Sequence, residues 1–179
     1  MNSHLTVLAR MSRTAAPVIV AAALLFGFVT SASAEELDAD GLKDGLRLFR
    51  QKGNCQACHG WSGDGRKMDS QMPYGSNLRE SEMNRELLII TIKCGRPGTG
   101  MPAFDKFAYS DGRCFGMKQA DLKSQGLMLS DPPATLQMRE IELLADFMLA
   151  RIVGKGPIDR AKCIEYWGSD VEVCGEFPK

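Results

Sequence analysis

The sequence predicts an all-α fold with long connecting loops, and three observations predict it. Apolar residues recur at helical spacing in three separate stretches. No run alternates with period two, and the segments between the stretches are rich in glycine, proline and polar residues.

The first stretch places Leu42, Leu46 and Phe49 at i, i+4 and i+7, with Asp40 as its expected N-cap, and leads directly to Cys55. The second runs from about Glu82 to Lys93, is expected to start at Ser81, and carries Met83, Leu88, Ile89 and Ile92 before Cys94-Gly95 closes it. The third, Thr135 to Val153, puts Ile141, Leu144 and Met148 on one face with Ala145 and Ile152 beside them. Gly154 is its expected C′ residue, and Met138 and Met148 read as core filler. The stretch from Gly60 to Arg79 is too polar and glycine-rich to build a core alone but suits close packing of backbone against a bound group.

Residues 1–34 read as an export signal: Arg10 and Arg13 precede an apolar run from Ala15 to Val29, and Ala32-Ser33-Ala34 is a small-residue exit. The run is shorter than the ~20 residues that cross a bilayer, so no membrane span is expected after cleavage. Cleavage after Ala34 leaves a main domain over 35–154 and a C-terminal extension over 155–179 packed on it, with a periplasm as the expected location. The signal contains two arginines and no acid, so its removal from a chain with 22 basic and 22 acidic residues leaves a slight acidic excess. That balance argues against nucleic acid as a partner.

Six cysteines sort by chemistry. Cys55-Gln56-Ala57-Cys58-His59 has the spacing of a haem c attachment site: two thiols three positions apart can add to the two vinyl groups on one haem edge, and the adjacent imidazole reaches the iron. A redox C-x-x-C pair or half a zinc site uses the same sulfurs. The first would be expected beside a β-α-β pattern, which is not found, and the second needs further ligands at matching spacing. Cys94, Cys114, Cys163 and Cys174 are even in number in an exported chain and are read as two disulfides. Three pairings exist, and sequence proximity favours Cys94 with Cys114 and Cys163 with Cys174.

His4 and His59 are the chain's two histidines, and His4 lies in the export signal. Two imidazoles from this chain therefore cannot share one iron, which leaves methionine, a rarer side chain, water or nothing opposite His59. Eight methionines follow the signal. Met101 stands out because Gly95-Arg96-Pro97-Gly98-Thr99-Gly100-Met101-Pro102 cannot continue a helix and lets backbone approach a flat ligand. Met72, also followed by a proline, is the alternative. A Cys94–Cys114 bridge would enclose Met101 in a loop whose closure is worth ~3 kcal/mol in the chain-entropy model. A carbonyl near Pro73 to Gly75 is a candidate acceptor for the free N–H of His59; the same residues also read as an ordinary turn.

Taken together, the leading helix, Cys55-x-x-Cys58-His59-Gly60, the Gly100-Met101-Pro102 loop and the helix with Ile141 and Leu144 resemble the class I c-type cytochromes over roughly Leu42 to Val153. The resemblance implies cytochrome c-like helices wrapped around one covalently bound haem c, with long loops and a disulfide-stapled C-terminal extension. It implies that the first and last helices cross, that His59 and Met101 bind iron from opposite sides, and that an exposed haem edge passes electrons to redox partners. The layout is similar to soluble cytochromes that accept electrons from periplasmic quinoprotein alcohol (methanol-type) dehydrogenases, with a terminal oxidase or another cytochrome as acceptor. Two features depart from a minimal member: the stretch Phe104 to Pro133 is longer, and the tail Lys155 to Lys179 adds Tyr166, Trp167 and the last cysteine pair. The tail is read as cover over the core in preference to a docking surface.

The function implied is transfer of single electrons by a protein that is not an enzyme. The competing reading is a haem enzyme or a gas- or peroxide-binding sensor, with the sixth iron position open and Met101 away from the metal. That reading lacks a second histidine to serve as the base of peroxide chemistry.

Overall fold

Asp38 opens the first helix: its carboxylate accepts the N–H of Gly41 at 2.7 Å, so helix α1 spans Ala39–Arg47 and Asp40 sits inside its first turn, one step past the expected cap. The computed structural model describes residues 37–179, and the export signal expected over 1–34 lies outside them. Among the described residues there are six α-helices and no strand, apart from an isolated bridge between Cys114 and Met117, as the all-α expectation required. No helix among them is long and apolar enough to cross a membrane.

After α1 the chain tightens into a π-helical turn, Leu48–Lys52, which puts both Leu48 and Phe49 fully out of solvent. Helix α2, Gln56–His59, is a single turn that carries the C-x-x-C-H motif. Helix α3 spans Arg85–Cys94 and not Glu82–Lys93: Asn84 caps it through Leu87 N–H, while the hydroxyl of Ser81 bonds the N–H of Met83 in a local turn, leaving Met83 outside the helix. Helix α5 begins at Met138, because the Glu140 carboxylate accepts the N–H of Gln137 at 2.9 Å; Met138 is exposed there and is not core filler. Helix α5 ends at Arg151, with Gly154 at positive φ two residues beyond the Ile152 C-cap. Two short helices had no counterpart among the sequence expectations: α4, Gln119–Ser124, within the long stretch after Phe104, and α6, Arg160–Trp167, in the tail.

The main core forms where α1 and α3 both pack on α5, joining Leu48, Phe49, Leu88, Ile92, Ile141, Leu144 and Phe147. The Lys52 ammonium reaches the Glu140 carboxylate at 2.6 Å and Arg85 reaches Asp146 at 2.6 Å, so each of the packed helix pairs carries a partly buried ionic tie. Two satellite clusters lie beside this core, each built on a disulfide. Cys94–Cys114, with Cα atoms 5.5 Å apart, joins Ala103, Ala108, Tyr109 and Leu122. Cys163–Cys174, at 5.4 Å, joins Phe177 and Trp61, and stacks Tyr166 and Trp167 on the indole of Trp61 with ring centres 4.6 and 5.7 Å away. Arg79 is buried without a carboxylate in contact; its guanidinium donates to the carbonyls of Ser62, Lys155 and Gly156, tying the start of the tail to the loop after His59.

Helix α1 reaches α5 through Gly45, which is buried with its Cα face on the Phe147 side chain; a Cβ added there would run into the Phe147 ring. Alanine is ordinarily the better helix residue by ~0.5–1 kcal/mol. Here the steric cost of ~1–3 kcal/mol for overpacking wins. Gly45→Ala is therefore expected to lower the denaturant midpoint of the folded protein, and Phe147→Leu in the same chain to recover part of the loss. Unchanged or higher stability in Gly45→Ala would show that the helix crossing relaxes freely.

Candidate functional site

The C-x-x-C-H turn is held by backbone on both sides. Cys55 N–H bonds Phe49 O at 2.8 Å across the π-helical turn, His59 N–H bonds Cys55 O at 2.9 Å, and His59 O accepts the N–H of Gly65 at 2.8 Å. The segment 72–77 then returns beside the imidazole. Gly75 N–H bonds Cys58 O at 2.9 Å, and Ser76 O lies 2.9 Å from His59 Nδ1. The acceptor is therefore Ser76, one residue beyond the expected Pro73 to Gly75. Gly75 makes the approach feasible, since a Cβ there would come within 2.6 Å of Nδ1.

Electrostatics at the three residues follow from burial. It pushes the Cys55 thiol up to about 12 and also raises that of Cys58. A reactive or metal-binding thiol needs the opposite, a depressed pKa. Among the described residues the two sulfurs also belong to no cluster of His, Cys, Asp or Glu that could hold a metal ion, so neither the redox-pair nor the zinc alternative gains support. Burial holds the His59 imidazole below its usual value, partly offset by the Ser76 carbonyl. A neutral ring that donates Nδ1–H to Ser76 leaves Nε2 as a lone-pair donor.

Met101 comes from a separate loop tied at both ends to the end of α3. Its carbonyl accepts the N–H of Arg96 at 3.0 Å and its N–H bonds Thr99 Oγ1 at 3.2 Å. The chain beyond it is pinned by Phe104 N–H to Ile92 O and Asp105 N–H to Lys93 O, both 3.1 Å. The adjacent Cys94 is bonded to Cys114, so the bridge encloses the loop.

Cys55, Cys58, His59 and Met101 all line one cavity of about 710 Å³, a size suited to a compact organic cofactor. Three further methionines line it: Met72, Met83 and Met148. Met72 lies three residues before Gly75, on the segment that buttresses His59, whereas Met148 is buried on α5 in the main core. Sequence reasoning missed Ser76, Met83 and the cavity-facing role of Met148; helical spacing gave a signal only for the last. Arg96 and Asp131 are the charged side chains of the lining, and they do not pair with each other. A mostly apolar cavity with two thiols, a neutral imidazole and thioethers on its wall suits a flat, apolar iron macrocycle attached through both cysteines.

Residues 40–113, less than half of the chain, match the family model described as cytochrome C oxidase, cbb3-type, subunit III. The match supports a c-type cytochrome. It covers the C-x-x-C-H turn and Met101 and stops one residue before Cys114. No curated protein and no solved structure matches the chain. The helical architecture is consistent with the cytochrome c fold, covalently bound haem c is the cofactor that this domain implies, and electron transfer with redox partners is its chemistry.

In this cytochrome domain the contact between Gly75 and the His59 ring can be tested directly. Gly75→Ala is expected to cost ~1–3 kcal/mol of stability, read from the denaturant midpoint of the haem-loaded protein. Gly175→Ala, where a Cβ meets open space, should leave the midpoint unchanged. Equal midpoints for both variants would remove Gly75 as a constraint on the imidazole.

Proposed function

We propose that this chain is a periplasmic carrier of single electrons with one haem c, bound through Cys55 and Cys58 and ligated by His59 and Met101. The observation that carries the reading is the meeting of four donors of the right types on one cavity, from two independently anchored segments. When bound, the haem iron supplies one-electron oxidation and reduction; the chain supplies position and environment. His59 is oriented by Ser76, and its neutral state presents Nε2 to the metal. Met101 is favoured over Met72 because its loop is separate from the segment beside His59, so its sulfur can approach from the other side. A thioether opposite an imidazole favours the reduced state and raises the potential. Arg96 is the lining cation available to a haem propionate.

A six-coordinate iron without an acid–base group beside it fits a carrier and not an enzyme. The periplasmic location rests on the export signal and the two disulfides. Partners are redox proteins of the same compartment. The layout's resemblance to carriers that serve quinoprotein alcohol dehydrogenases makes such an enzyme the first donor to assay, with a terminal oxidase or another cytochrome as acceptor.

The test is spectroscopic. Oxidised wild-type protein should show the weak red-edge band of an iron–thioether bond. Met101→Ala should lose it and retain covalent haem, with the reduced-to-oxidised ratio at fixed applied potential falling by about tenfold or more, equivalent to ~59 mV for a one-electron couple. Met72→Ala should leave the band in place. Loss of the band in Met72→Ala, with retention in Met101→Ala, would move the ligand to Met72. Ready binding of carbon monoxide by the reduced wild-type protein would overturn six-coordination and the carrier mechanism.

A further inference from the structure

The cavity opens beside a continuous strip of exposed apolar surface that neither the helices nor the tail covers. Tyr74, which lines the cavity, is 80% exposed, and Met68 and Met128 are 52% and 78% exposed. Contacts join these residues into one lip. Lys67 lies 4.4 Å from the Tyr74 ring centre and donates to the carbonyls of Ser70 and Met72. Pro73 packs on Gly100 so closely that a Cβ there has no room, and Gly98 N–H bonds Met128 O at 2.7 Å. The charges around this lip cancel: Lys67 and Arg96 face Asp69 and Asp131, two of each sign. Lys67 is held over Tyr74, and the Asp69 carboxylate accepts the N–H of Gln71. The lip therefore offers large apolar contact and no net charge to attract an oppositely charged ring.

We infer that the lip centred on Tyr74 is the docking surface for electron exchange and that it fits a redox protein presenting an uncharged apolar patch around its own cofactor. This rests on the carrier reading above. A second copy of the chain supplies such a patch, so electron self-exchange between reduced and oxidised protein is the probe: one electron crosses and the products equal the reactants.

The self-exchange rate should change by less than about twofold between low salt and salt that screens surface charge. On concentrating the protein, amide NMR shifts should cluster at residues 68–74 and 98–100. Tyr74→Lys should slow exchange by about tenfold, the effect of disrupting an interface hot spot, whereas Tyr74→Phe keeps the rate. Potential and red-edge band should be unchanged in both variants. A rate that moves steeply with salt, shifts that cluster elsewhere, or a Tyr74→Lys rate equal to wild type would overturn the docking surface. A stable dimer on sizing would overturn it as a transient site. In each case a retained band leaves the iron ligation standing, whereas a wild-type protein without the band would fail the carrier reading itself.

Discussion

The hydrogen bond between His59 Nδ1 and the Ser76 carbonyl is the constraint on which the rest of the site depends. It fixes which nitrogen of a neutral ring remains free, and it does so with backbone, which cannot rotate away as a side chain can. To deliver that carbonyl the segment 72–77 must lie against the imidazole, and only glycine at position 75 leaves room. The same segment then supplies Tyr74 and Pro73 to the mouth of the cavity, with Pro73 in contact with Gly100 in the Met101 loop. Ring orientation, the wall of the cavity and its outer lip are thus consequences of one short stretch of backbone.

Rigidity on the opposite side comes from the end of α3. Met101 is tied by backbone bonds on both sides, and Cys94 joins the helix end to a second disulfide-centred cluster. In the chain-entropy model a bridge of this span contributes ~3 kcal/mol. Its local effect matters as much here, because a soft donor presented by a loose loop would leave a metal easily. The tail repeats the device at smaller scale: Cys163–Cys174 organises Phe177, Tyr166 and Trp167 around Trp61, only two residues from His59. Each satellite cluster is too small to hold together by apolar burial alone, and each is closed by a covalent bond.

What the sequence revealed was local. Cys55, Cys58 and His59 were legible because their chemistry is written in five consecutive residues, and Met101 because its loop could be nothing else. Helix starts were legible only to within a few residues, since competing caps stand close together: Asp38 and Asp40 before α1, Ser81 and Asn84 before α3. The choice falls to whichever side chain reaches an N–H of the forming first turn, and Ser81 instead bonds Met83. Long-range roles were hidden. Gly45 reads as a weak helix residue until Phe147 is seen against it, and Trp61 reads as a loop aromatic until the tail folds over it. Ser76 carries its role in its backbone, which no residue type announces.

Electron transfer rewards a site that changes little when its charge changes, and the wall of this cavity is built that way. Its polar donors are neutral thiols, a neutral imidazole and thioethers, its charged members are Arg96 and Asp131, and the remainder is largely apolar or backbone. Few dipoles near the metal are then free to reorient when one electron arrives. The anchoring bonds at Ser76 and around Met101 limit movement of the ligands themselves. A catalytic iron site would need the reverse, with an accessible position and a titratable group poised beside it. In this chain acid–base capacity was left out of the cavity, and the space that it would have taken is lined with methionine.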